Sequence, residues 1–214
     1  MTAKVKICGL TTKPALETAL AEGADYVGLV FFPKSPRNLD LTTAAALAKV
    51  ARGRAQVVAL LVNPDDAALQ RVVDAVAPDM IQLHGKETPE RVAEIARLTR
   101  RPIMKAIAVA TEGDAIRALD YRPMADTILF DAKPPPAALL PGGNGLAFDW
   151  SLLTAVKGRV PYMLSGGLTP DNVADAIRQT GAGSVDVSSG VESAPGIKDH
   201  ELIRLFIRNA KTAK

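Results

Sequence analysis

The only cysteine among the 214 residues, Cys8, stands at the end of a short apolar run and just before a glycine, in Lys6-Ile7-Cys8-Gly9-Leu10-Thr11. Asp131 ends Asp126-Thr127-Ile128-Leu129-Phe130-Asp131, Asp186 lies in Val185-Asp186-Val187-Ser188, and Gln82 and His84 flank a leucine in Gln82-Leu83-His84-Gly85. Thiol, carboxyl and imidazole are the groups that trade protons near neutral pH, and one acid and one base on opposite sides of a small ligand suffice for general acid/base chemistry. Two glycine- and serine-containing stretches, Ser165-Gly166-Gly167-Leu168 and Ser188-Ser189-Gly190-Val191, suit an anion, because glycine lets the backbone approach it and free N–H groups face it. Gly166, Gly167, Ser188, Ser189 and Gly190 are therefore candidate phosphate contacts.

These residues need elements to position them. Runs rich in Val, Ile and Leu alternate with stretches whose apolar residues recur at helical spacing. The strands predicted are 4–8, 25–31, 56–61, 79–83, 103–107, 126–131, 161–165 and 184–188. Helix starts are expected at Thr12-Lys13-Pro14, Asn63-Pro64-Asp65, Glu87-Thr88-Pro89 and Thr169-Pro170-Asp171, where a capping residue or proline precedes a periodic run. Eight such units at similar spacing predict a single (β/α)8 barrel over residues 1–214; an open doubly wound sheet is the second choice. Two connections are long, 32–41 and 132–148, and both follow a strand C-terminus, the barrel face where active sites are built. The second, with Pro134, Pro135 and Pro136, reads as a lid rather than a domain linker, and its segment 133–141 is assigned no role.

Strand parity then sorts the side chains, since alternate residues face the helices and the barrel interior. Val5 and Ile7 go outward, leaving Lys4, Lys6 and Cys8 inward. Ile128 and Phe130 go outward and Thr127, Leu129 and Asp131 inward; Val185 and Val187 outward and Asp186 and Ser188 inward; Ile81 and Leu83 outward and Gln82 and His84 inward. Lys105 is expected inward if Met104 and Ala106 face the helices. Singly, each polar residue has a structural reading: an inert core thiol, a rim histidine, a lysine–aspartate pair. Convergence from five strands on one barrel end favours the chemical reading.

Composition removes other classes. The net charge of +3 comes from 26 basic and 23 acidic residues, and aromatics make up only 4%, which disfavours nucleic acid and allows a small anionic ligand. A lone cysteine forms no internal disulfide, no run is long enough to span a bilayer, and the N-terminus lacks a signal-peptide core, so a cytoplasmic protein is expected. With His84 and His200 the only histidines, a metal cluster is not expected.

In order along the chain, "KICGLT", "FFPKSPR", "QLHG", "FDWS", "LSGGL" and "VDVSSGVE", followed by "GIKDHELI", closely resemble phosphoribosylanthranilate isomerase. The resemblance implies an Amadori rearrangement of N-(5-phosphoribosyl)anthranilate to 1-(2-carboxyphenylamino)-1-deoxyribulose 5-phosphate, in tryptophan biosynthesis, with neither metal nor organic cofactor. It implies Cys8 as general base, Asp131 as general acid, Arg37 of "SPR" at the anthranilate carboxylate, and the strand-seven and strand-eight loops at the phosphate. Asp186 is expected near the substrate amine or sugar hydroxyls, with Gln82 and His84 also among the substrate contacts. For that chemistry Asp131 must start protonated and Cys8 must act as thiolate, so partial burial is expected around the carboxyl and positive charge, from Lys6 or Lys105, around the thiol. Where Ala132 follows Asp131, similar proteins often carry Ser or Thr, so a supporting hydrogen bond is expected to be missing. The partner implied is a small phosphoribosyl substrate, taken by a monomer or a homodimer.

Other readings remain open at this point: the histidine-pathway ribonucleotide isomerase, which places an aspartate where Cys8 stands; a metal-dependent epimerase or a Schiff-base aldolase using Lys105; and a non-catalytic phosphate-binding barrel.

Overall fold

The computed structural model describes residues 2–135, 138 and 140–213. Pro136, part of the expected lid, lies outside the described residues. Eight strands, β1 (Lys4–Cys8), β2 (Tyr26–Phe31), β3 (Gln56–Leu61), β4 (Met80–Leu83), β5 (Ile103–Val109), β6 (Thr127–Ala132), β7 (Tyr162–Leu164) and β8 (Ser184–Val187), pair in parallel with their sequence neighbours. β1 also pairs with β8, so the sheet closes into the (β/α)8 barrel expected from the repeat.

The helices are α1 (Lys13–Ala21), α2 (Leu41–Ala51), α3 (Asp66–Val76), α4 (Pro89–Thr99), the short α5 (Glu112–Ile116) and α6 (Ala118–Tyr121), α7 (Val173–Thr180) and α8 (His200–Thr212). After β6 the unit holds a 3-10 helix, Trp150–Val156, in place of an α-helix. Thr12 and Thr88 cap α1 and α4 through their hydroxyls, as the sequence suggested; such a cap contributes about 1 kcal/mol. Two starts differ. Asp65, not Asn63, caps α3, while Asn63 takes a left-handed φ of 45° and its Oδ1 accepts from the Lys86 N–H. Thr169 and Pro170 form a turn closed by Thr169 N–H donating to Asn172 Oδ1, and α7 begins only at Val173. An antiparallel pair not foreseen from the sequence, β9 (Glu192–Ala194) and β10 (Ile197–Lys198), lies between β8 and α8.

Two separate apolar clusters show the parity. Val5, Ile7, Ile81, Leu83, Ile128, Phe130, Val185 and Val187 pack outward against the helices. Val58, Met80, Met104, Ala106, Leu129 and Met163 fill the barrel interior. Each fully buried aliphatic side chain contributes about 1.5–3 kcal/mol, so a one-residue slip of any strand would forfeit several such contributions.

This packing corrects the expectation for Lys105. Met104 and Ala106 face the interior, so Lys105 shares the outward side with Ile103 and Ile107. Its ammonium lies beneath the β4–α4 loop, donating to Glu87 Oε2 at 2.9 Å and to the carbonyls of Gly85 and Leu83, over the ring of Tyr121. It is a buried strut outside the barrel. Lys4 has the inward parity expected of it but is exposed. Among the described residues no helix is long and apolar enough to cross a membrane.

Candidate active site

Cys8, the last residue of β1, is buried and pairs in register with Gly28 of β2. A Cβ at Gly28 would lie 2.8 Å from the Cys8 sulfur, so only glycine leaves room for the thiol. Behind Cys8 the chain turns sharply, with the Gly9 and Leu10 N–H groups both donating to the Gly28 carbonyl. The thiol is thus held on rigid backbone at the C-terminal end of the barrel.

Lys6 is fully buried one position below, and its Nζ lies 2.8 Å from Asp186 Oδ1. Burial alone would lower the Lys6 pKa, but Asp186, and then the nearby Cys8 thiol, more than reverse this, so Lys6 stays charged. For Cys8 the balance opposes expectation. Burial pushes the thiol pKa up; Lys6 pulls it down, Asp186 raises it again, and Lys198 lowers it, leaving a net upward shift. The positive charge expected beside the thiol is present as Lys6, already paired with Asp186, while Lys105 is not there.

Asp131, on β6, is 6% exposed. Its Oδ1 accepts from the Ala132 N–H at 2.8 Å, so backbone supplies a hydrogen bond where a hydroxyl side chain was expected to be missed. Its Oδ2 lies 3.2 Å from His84 Nε2, and His84 Nδ1 lies 3.0 Å from Gln82 Nε2. With the amide donating to Nδ1, the ring proton sits on Nε2 and faces the carboxylate. Gln82 Oε1 is then buried without a partner among the described residues. Gln82 and His84 both line the site, and His84 also bears directly on Asp131.

Arg37, buried in the loop after β2, is gripped from the side by Glu192: Nε donates to Oε1 and Nη2 to Oε2, each at 2.8 Å. Asp186 occupies the cavity wall, but its Oδ1 is taken by Lys6 and its Oδ2 accepts from Ser165 Oγ at 3.1 Å.

One cavity joins these groups. Cys8, Asp131, His84, Arg37 and Asp186 line it, together with all five glycines and serines of the β7 and β8 loops singled out in the sequence. The N–H groups of Gly166, Gly167 and Ser189 have no acceptor among the described residues, as an anion site requires. The Ser188 hydroxyl is spent inside the protein, donating to the Cys8 carbonyl and accepting from Lys198 Nζ. Among the described residues no group of three or more His, Cys, Asp or Glu is placed to hold a metal.

Three contributors escaped sequence reading. Lys198 and Glu192 lie on β10 and β9, and "VESAPGIK" carries no spacing that signals a hairpin bent back under Arg37. Gly142 comes so close that a Cβ there would sit 2.5 Å from both Asp131 Oδ2 and His84 Nε2. The paired glycines of Pro141-Gly142-Gly143-Asn144-Gly145 were the available signal that the end of the long β6 loop closes over the site.

The family model for N-(5'phosphoribosyl)anthranilate (PRA) isomerase matches residues 5–209. An N-(5'-phosphoribosyl)anthranilate isomerase of Rhodopseudomonas palustris (strain BisA53) is 59% identical over 210 residues, covering 98% of this chain and 96% of that protein. A solved phosphoribosyl anthranilate isomerase in complex with reduced 1-(o-carboxyphenylamino)-1-deoxyribulose 5-phosphate is 38% identical, with a TM-score of 0.86 and 98% of each chain covered. Monomers generated from the dimeric isomerase of Thermotoga maritima are 39% identical with a TM-score of 0.85, again covering 98% of each chain.

Proposed function

Because the chain belongs to the N-(5'-phosphoribosyl)anthranilate isomerase family and is such an isomerase of tryptophan biosynthesis, we propose that Cys8 and Asp131 are its base and acid. The observation that carries the assignment is the single cavity bounded by a thiol, a carboxyl, an arginine and an anion-ready pair of loops.

In this reading the phosphate of phosphoribosylanthranilate sits on the Gly166, Gly167, Ser189 and Gly190 backbone, and its aryl carboxylate meets Arg37. Protonated Asp131 gives its proton to the furanose ring oxygen. The bond from that oxygen to C1′ breaks as the nitrogen lone pair forms the Schiff base. The Cys8 thiolate then removes the C2′ proton, giving an enolamine that tautomerises to the ketone. His84 holds the Asp131 carboxyl in place. Asp186 holds Lys6 charged beneath the thiol, and Lys6 favours the thiolate during proton removal.

Residues 1–214 are read as one catalytic domain, supported by the span of the family match. A monomer or homodimer in the cytoplasm is the expected form; the dimeric Thermotoga maritima relative supports the second.

The test is the loss of anthranilate-type fluorescence when purified protein meets freshly made phosphoribosylanthranilate, with Cys8→Ala and Asp131→Asn alongside. Wild type should turn over, and each variant should be slowed by about 10²–10⁴-fold, the usual contribution of a general acid or base. Near-normal turnover by either variant would move that role to another group.

A further inference from the structure

We propose that Glu192 and Lys198 are positioning residues for the substrate's aryl carboxylate: Glu192 fixes the plane of the Arg37 guanidinium, and Lys198 restores the positive charge that Glu192 cancels. The inference rests on the reading of Arg37 given above.

Glu192 and Lys198 face each other across the β9–β10 pair, and only Arg37 of the three lines the cavity. The grip is side-on, through Nε and Nη2, with side chains 6% and 4% exposed. It stops the guanidinium rotating and leaves Nη1 without an acceptor among the described residues, next to Gly143 at the cavity wall.

An arginine–glutamate pair is neutral and would be a poor receptor for a second carboxylate. Lys198 Nζ, its side chain 1% exposed, lies 2.6 Å from Glu192 Oε1, so the three groups together carry a net positive charge. Its remaining donors go to the Ser188 carbonyl at 2.9 Å and the Ser188 hydroxyl at 3.3 Å. Burial lowers the Lys198 pKa and Glu192 opposes it, and with three acceptors for its three N–H groups the Lys198 ammonium has none to offer a ligand; it acts by charge and by tying Arg37 to the β8 loop. The Gly196 N–H supplies the last partner of Glu192, at Oε2. Burial tends to raise the Glu192 pKa, but Arg37 and Lys198 overcome it and hold the carboxylate ionised.

The experiment measures dissociation constants for two ligands, reduced 1-(o-carboxyphenylamino)-1-deoxyribulose 5-phosphate and its counterpart lacking the carboxylate. Wild type should prefer the first, and Arg37→Met should erase the preference. Glu192→Gln and Lys198→Met should each cut the preference about tenfold, while binding of the carboxylate-free ligand stays within about twofold, an effect that a merely structural role would not produce. Lys198→Arg should recover most of it. If Lys198→Met does not fold, the double variant Glu192→Gln/Lys198→Met, which removes both buried charges, replaces it and should lose at least as much preference as Glu192→Gln. Loss of preference in Arg37→Met with full preference in the Glu192 and Lys198 variants would overturn this inference alone. Preference retained in Arg37→Met would overturn the reading of Arg37 and this inference with it.

Discussion

Nε2 of His84, at the end of β4, lies 3.2 Å from Oδ2 of Asp131 on β6, so the carboxyl is oriented by a histidine from a strand two places away in the barrel. Gln82 in turn holds the imidazole from the same strand. A carboxyl fixed in this way donates along one direction, toward the cavity that Gly142 roofs.

Replacing His84 by Leu should therefore lower kcat by about ten- to a hundredfold with a smaller change in KM, because misorienting the acid harms the transition state more than binding. Gln82→Leu should do the same more mildly. Steady-state kinetics of both variants decide it; an effect confined to KM would make His84 a substrate contact only.

The Cys8 thiol is raised above its ordinary value by burial, with Lys6 opposing. The thiolate is the form that alkylating agents attack, so a raised pKa moves the rise of Cys8 alkylation by iodoacetamide to higher pH. In the free enzyme that rate should still be climbing beyond about pH 8.5, the ordinary thiol value. A plateau well below neutrality would show that the charges around Cys8 outweigh its burial.

Gly28→Ala places a methyl 2.8 Å from the Cys8 sulfur and 3.0 Å from its Cα. Overpacking should cost about 1–3 kcal/mol of stability. Displacing the thiol by a fraction of an ångström to 1 Å should cost about a hundredfold in kcat, out of proportion to the stability loss. Urea unfolding and turnover measured on the same preparation separate the two; a variant that is destabilised but fully active would show that the thiol tolerates the shift.

Lys105→Met removes one partner of the buried pair with Glu87, whose carboxylate also accepts from the Asn63 and Gly85 N–H groups. Leaving that charge unpaired should destabilise the protein by about 3–5 kcal/mol, whereas KM should change by less than about twofold. Borohydride with a ketose phosphate should trap no adduct at Lys105. Kinetic loss without loss of stability would return Lys105 to the active site.

The strands and the closed barrel were legible because apolar alternation and the repeat of βα units are local properties that burial enforces along the whole chain. Cys8, Asp131 and Asp186 were placed by the same parity, since each strand carried outward-facing aliphatics that fixed its phase. Lys105 was not, because β5 reads Ile103-Met104-Lys105-Ala106-Ile107, with apolar residues in both phases, and only packing against α4 and Glu87 chose between them. The sequence by itself determined the fold class and placed the candidate acid, base and anion loops at the C-terminal end of the barrel, through residue types at strand ends. Tertiary structure alone decided how Arg37 is clamped, which cation stands near the thiol, and that burial outweighs those cations at Cys8. These depend on distances between residues as far apart in the chain as Arg37 and Glu192, and no local pattern encodes a distance.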